Sequence, residues 1–455
     1  MEEIANLENV NFLGHKFIRY VDVGKVKEAL KLEKDRLNIS QIEIIEDVNS
    51  TIQDLYKMIY PNLKLPEKKC FDNIIFENIF YGKQKHIYVE YFDLKTGDIM
   101  DDEFVKNNIF ATLNTINTKD SNNGIDFQLR KQILPEGFDL IKYLDINHIG
   151  VEFVSNLKID KDDDENIKKI RILYGKTVTN KKKGKDDPRK MYMLAGIEID
   201  IEKKRIVTLI RNEANIDNGF TLTGMYQSIL SKIISKINLI IKKRNEKMEK
   251  ELMYSYCMRL NETICEKHQL VVESECSQHI KDFVSDTLNN DLKIEEKVNS
   301  GEREEILDKI QSIFLGKYLK VSNDDGFLRQ DIFNANLKGY PTDITFKGVA
   351  NSGKGRAQSS DKYIPLVTSG LYHSLSSEMR MAQDLTKWRM AWFEHSIYSK
   401  DKIDSEKVKM KDLEVIQSTI EITKKYFHIT ILTQKHLDRE AIYFVIDELL
   451  GEYSG

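Results

Sequence analysis

Ile149-Gly-Val-Glu-Phe-Val-Ser-Asn-Leu-Lys-Ile159, Ile167-Lys-Lys-Ile-Arg-Ile-Leu-Tyr174, Met191-Tyr-Met-Leu-Ala-Gly-Ile-Glu-Ile-Asp-Ile201 and Ile206-Val-Thr-Leu-Ile210 decide the fold class. Each run is rich in branched and aromatic residues and is bounded by polar turn residues, the signature of strands. Glu202-Lys203-Lys204 is too short and too polar for anything but a tight turn between the last two runs. The four runs therefore read as an antiparallel meander. An acidic loop, Asp160 to Glu165, and a basic one, Lys181 to Lys190, interrupt it.

Outward from the meander the pattern changes. Residues 1–145 mix helix and strand: Val26 to Leu37 and Ile42 to Tyr60 read as helices, the second stopped by Pro61. His86 to Phe92 alternates as a strand, and Asp102 to Ile116 reads as a helix. On the other side, no glycine or proline falls between Gly224 and Gly301. Met225, Ile229, Ile233, Ile237, Ile240 and Ile241 recur at helical spacing, predicting one long helix or two stacked ones. Shorter helices are expected near His279 to Leu288 and Glu304 to Phe314. Beyond residue 319, Asp343 to Phe346, Phe427 to Leu432 and Ala441 to Ile446 read as strands, and Gly348 to Asp361 as a loop. Leu371 to Tyr398 (with Trp388 and Trp392 four apart) and Lys409 to Tyr426 read as helices. The expected architecture is α+β in four stretches: a mixed domain (1–145), the meander (146–215), a long helical region (216–318) and a mixed C-terminal region (319–455).

Composition narrows the function classes. The chain has 455 residues and a net charge of −4, so it is no broadly basic nucleic-acid binder. A mean hydropathy of −0.46 and the lack of a long uncharged apolar run predict no membrane-spanning helix. The acidic start, Met1-Glu-Glu-Ile-Ala, does not read as a secretory signal. Four cysteines are too few for a disulfide scaffold, so a reducing cytoplasm is expected.

Several motifs carry chemistry. Gly348-Val-Ala-Asn-Ser-Gly353-Lys354-Gly355 fits a phosphate-binding G-x-x-x-x-G-K loop, but Gly355 replaces the metal-binding hydroxyl. Ile442-Tyr-Phe-Val-Ile-Asp447-Glu448 offers the apolar strand and carboxylates of a nucleotide site, giving a degenerate NTPase as one alternative. Cys265 with His268 and Cys276 with His279 pair thiol and imidazole at helical spacing suited to zinc, though packing explains them more simply. His428-Ile-Thr430 lacks the second H-x-T/S motif of a two-histidine phosphoesterase, since His373-Ser-Leu375 and His395-Ser-Ile397 fail at the third position. Glu202-x-Lys204 falls on a turn tip rather than a nuclease strand. Lys181, Lys182, Lys183, Lys185 and Arg189 in the basic loop, and Lys242, Lys243 and Arg244 in the helical region, are the clusters suited to phosphate contact without base readout.

Three islands, Tyr143-Leu-Asp-Ile-Asn-His148, Tyr254-Ser-Tyr-Cys257 and Thr342-Asp-Ile-Thr-Phe-Lys-Gly348, resemble segments of the bacterial nucleoid-associated protein family, in the same order along the chain. The resemblance implies a cytoplasmic, nucleoid-located, non-enzymatic protein whose partner is DNA or a DNA-processing complex, with self-association open; it transfers no binding residues. A composition rich in Lys, Asn and Ile fits a low-GC genome, where anti-phage proteins are common, and so adds a third reading, an interaction subunit of a defence complex. No cofactor and no catalytic residue is expected from these patterns.

Overall fold

The computed structural model describes residues 15–33, 37, 51–95, 137–142, 144–180, 189–213, 216, 220–237, 239–322, 332, 335–347, 353–382, 385–393 and 414–451. The class is α+β. Contacts divide the chain into two units, Met1–Lys243 with Gln434–Ile442, and Arg244–Thr433 with Tyr443–Gly455. The mixed domain and the meander are thus not separate: the first strand of the chain hydrogen-bonds to the last strand of the meander. The helix expected over 102–116, residues 181–188 of the basic loop, Tyr143 and Gly348 lie outside the described residues.

In the first unit, helices α1 (Val23–Leu32), α2 (Ile52–Ile59) and α3 (Leu65–Tyr81) precede strand β1 (His86–Leu94). Thr51 and Asp54 close a reciprocal capping box at α2, and Pro66 sits in the first turn of α3, where its missing N–H costs nothing. The meander follows as β2 (Gly137–Asp139), β3 (Glu152–Lys161), β4 (Ile167–Asn180), β5 (Arg189–Asp200) and β6 (Arg205–Ile210). The sheet order is β2-β3-β4-β5-β6-β1, antiparallel throughout. Residues 201–204 form the expected turn, with Lys204 at φ 47°. Helix α4 (Leu222–Lys232), capped by Thr221, leads to β7 (Leu239–Ile241), which pairs with β1. The expected continuous helix is therefore broken. Met225, Ile229, Ile233 and Ile237 are buried, but Ile240 is an exposed strand residue.

The second unit opens with α5 (Glu246–Asp286), a single 41-residue helix capped by Asn245 and free of Gly and Pro, which absorbs the separate helix expected near His279. It ends in a π-helical turn, Thr287–Asp291. Helix α6 (Ser300–Ser322) packs along it, with Ile280, Val284 and Leu288 meeting Ile306, Leu307 and Ile310. Strands β8 (Gly339–Lys347) and β9 (Lys354–Gln358), helix α7 (Gly370–Ala382) and strands β10 (Leu385–Phe393), β11 (Val415–Ile422) and β12 (Phe427–Leu432) follow, in sheet order β12-β11-β10-β8-β9.

Four expectations are corrected here. The second half of Leu371 to Tyr398 contains a strand, because residues four apart share a face in a strand as they do in a helix. Trp388 and Trp392 are both buried on β10, and Trp392 Nε1 donates to Ser418 Oγ at 2.7 Å. Residues 415–422 are a strand, and 354–358, read as loop, are the edge strand β9. Ala441 to Ile446 is helical, inside α8 (Arg439–Leu450), since a buried apolar run this short has no period that separates strand from helix.

Candidate ligand pocket under helix α3

Strands β3, β4 and β5 carry polar side chains among apolar ones, and registry brings them into one row. Gly137 faces Lys158, Lys158 faces Arg171, and Arg171 faces Glu198. Helix α3 lies along this row. Asn73, Glu77 and Tyr81, four apart, accept from Lys158, accept from Arg171 and donate to Glu198 (2.6 Å), respectively. Four helical residues advance about 6 Å, close to the strand spacing of about 4.8 Å, so each turn of α3 meets a new strand. The Phe76 ring sits between, 4.1 Å from Lys158 Nζ and 5.7 Å from the Arg171 guanidinium.

At the Lys158 end the row opens into a cavity of about 710 Å³ between the start of α3, β2 and β3. Lys68, Lys69, Lys142, Lys158 and Arg171 line it against three carboxylates, Asp72, Asp139 and Asp160. Lys142 and Arg171 are bound to carboxylates. Lys142 donates to Asp72 (2.7 Å) and to the Tyr60 hydroxyl (2.6 Å), and Arg171 bridges Glu77 and Asp160. Opposite charge raises the Lys142 and Arg171 cations well above their ordinary range, against the opposing effect of burial. Lys68 lies 5.2 Å from the centre of the Tyr60 ring, which stacks on Tyr56.

Behind the wall lies Asn156, fully buried on β3 opposite Asp139; its Nδ2 and Oδ1 make no hydrogen bond of good geometry among the described residues, and the amide's nearest charged neighbour is the Asp139 carboxyl. Such a group costs roughly 1–3 kcal/mol when left unbonded. Burial pushes the Asp139 carboxyl above its ordinary range, opposed by the Ile141 N–H, the charges of Lys158 and Lys142 and the neighbouring Asn156 amide. Burial also pushes the Lys158 ammonium down to about 8. The cavity thus sets five cations against three carboxylates beneath an aromatic rim, which suits a small anion.

None of the motifs legible in the sequence falls here. In the second unit, Gly353 is exposed and Lys354 is an exposed residue that begins β9, so no helix N-terminus follows the G-K pair as a phosphate loop requires. Asp447 and Glu448 stand on α8 rather than at a strand end, and Glu448 is held by Lys338 at 2.7 Å. Cys265, His268, Cys276 and His279 all lie on α5, and the eleven residues from Cys265 to Cys276 span about 16 Å of helix, so the two pairs do not converge on one ion. Cys265 is buried with its thiol pushed up to about 12, and the His268 ring packs edge-on against Tyr318. Among the described residues no cluster of three or more His, Cys, Asp or Glu is placed to hold a metal. His428 is a half-buried residue of β12.

Of the cations proposed for phosphate contact, Lys181, Lys182, Lys183 and Lys185 lie outside the described residues. Arg189 and Lys243 are exposed, Lys242 pairs with Asp93 at 3.2 Å, and the Arg244 side chain, 7% exposed, is held by both oxygens of Glu249 at 2.7 Å. That pair removes Arg244 from any surface patch.

Asn156, Lys158 and Asp139 were the residues sequence reasoning passed over. Their signal was present in Ser155-Asn-Leu-Lys158, polar residues inside an apolar strand, but nothing in the sequence shows which helix covers them. Among the described residues no helix is long and apolar enough to cross a membrane. No protein-family model, curated protein or solved structure matches this chain.

Proposed function

We propose that the first unit is a binding module for a small anionic molecule, held in the cavity between α3, β2 and β3. One observation carries the reading: five cations line the cavity against three carboxylates, and Lys158 among them has no carboxylate within ion-pair distance among the described residues. A ligand anion would sit against Lys68 and Lys158. The test is thermal unfolding of the full chain with inorganic phosphate and with a panel of small carboxylates. Tm rises with ligand concentration for at least one anion, and the rise is lost in Lys158→Met. An unchanged Tm across the whole panel overturns the reading.

Nucleic acid is the second reading. Its support in the described residues is the pair of exposed cations Arg189 and Lys243, at the base of the basic loop and just before α5.

A further inference from the structure

We infer that Lys158 is an imine-forming amine, and that the cavity takes an anionic aldehyde or α-keto acid. The inference rests on the anion-binding reading above and adds a bond. Lys158 Nζ lies on the cavity wall two residues from Asn156, so the two share one face of β3. Its register partner on β2 is Gly137, at φ +121°, where a Cβ would sit 1.8 Å from the Leu157 carbonyl oxygen. Only glycine fits there, and it leaves the flank beside the Lys158 amine without a side chain.

The neighbours of Lys158 differ from those of the other inner cations. Lys142 and Arg171 have carboxylates within ion-pair distance. Among the described residues Lys158 has none; it donates to the neutral Asn73 amide oxygen, rests on the Phe76 ring and faces the positive Arg171 across the strand pair. Burial, helped by the Arg171 charge and opposed by the charges of Asp139, Glu77 and Asp160, brings the ammonium down to about 8 from 10.5, so at neutral pH its neutral fraction exceeds that of a surface lysine by a factor on the order of 100. The neutral amine is the nucleophile.

The step balances with groups on the wall. The Lys158 nitrogen lone pair forms a C–N bond to the ligand carbonyl carbon, and one amine proton moves to the carbonyl oxygen, giving a carbinolamine. Asp139, a carboxyl on the cavity wall whose burial favours its protonated form, is the group placed to give a proton to the hydroxyl. The C–O bond breaks, water leaves and an iminium remains. The Asp139 carboxylate then takes the nitrogen proton back, leaving the neutral imine. Lys68 and Lys69 carry the charge that holds the ligand carboxylate.

The test uses the full chain with glyoxylate and cyanoborohydride at neutral pH, followed by peptide mapping. Carboxymethylation concentrates on Lys158, at least ~10-fold above any surface lysine, as its larger neutral fraction requires. Lys158→Arg keeps the cation and loses that label, and Asp139→Asn slows it. A label spread evenly over surface lysines overturns the inference. Phosphate is the parallel probe. If it or a carboxylate of the panel still raises Tm while Lys158 stays unlabelled, imine formation falls and the binding reading stands; if none raises Tm and Lys158 stays unlabelled, both fall.

Discussion

Asn156→Leu is the sharpest test of the strand behind the pocket, because it isolates the cost of a buried amide without hydrogen bonds of good geometry. The side chain is fully buried and both amide atoms lack such a bond, so the native state carries the cost of desolvating them without a good bond in return. Leucine has the same branching and the same number of side-chain heavy atoms, is somewhat bulkier, and carries no polar atom. Its neighbours across the strands are Leu173 on one side and Asp139 on the other, so the new side chain gains contact with Leu173. Removing an unbonded buried group returns about 1–3 kcal/mol. For a unit of this size each kcal/mol is about 2–4 °C, so Tm rises by about 2–12 °C. Thermal unfolding followed by circular dichroism reads the effect. The variant melts higher than the native chain. A Tm lowered by the substitution would refute the reasoning, because it would mean that the amide makes bonds that hold the fold together.

Other predictions follow from the same structure. Glu198 is buried against Tyr81, Arg439 and Lys169, which hold its carboxyl below the ordinary 4.5 despite burial. A depressed folded pKa gives stability that is complete above pH 4.5 and lost as pH falls through the folded value, so Glu198→Gln flattens the acid limb of a Tm–pH profile. Trp392→Phe strands the Ser418 hydroxyl inside the second unit and costs about 1–3 kcal/mol in urea unfolding. Gly175→Ala puts a Cβ 2.4 Å from the Phe153 ring and destabilises by about 1–3 kcal/mol in the same assay. If Arg189 and Lys243 contact phosphates, removing both lowers the salt dependence of duplex DNA binding by about two counterions; an unchanged slope sets them aside.

Legibility in the sequence followed the kind of periodicity. The strands β3 to β6 begin within about three residues of their expected starts, because turns of Asp, Asn and Lys punctuate apolar runs that only a sheet can bury. Trp388 and Trp392 misled because a four-residue spacing satisfies both periods. Ile442 to Ile446 misled because a fully buried run has no polar face to mark a period. The Cys and His pairs read correctly as helical and still did not form a centre, since a straight helix carries them apart along its axis. For the pocket, the inward polar residues were visible but unassignable. Tyr60, Asp72, Asp139, Lys142, Asn156 and Lys158 come from four separate segments.

By itself, then, the sequence determined the α+β class and the order of the meander strands, consequences of local pattern and short connections, while the long glycine-free stretch was legible as helical but not in its bounds. Only the tertiary structure decided which charges are neutralised and which are not. Lys142 and Arg171 find carboxylates while Lys158 finds an aromatic ring and an amide, because α3 is laid across the strands at one particular register. A charge takes its pKa and its chemistry from what is brought within a few ångströms of it, and in this chain those neighbours lie many tens of residues away.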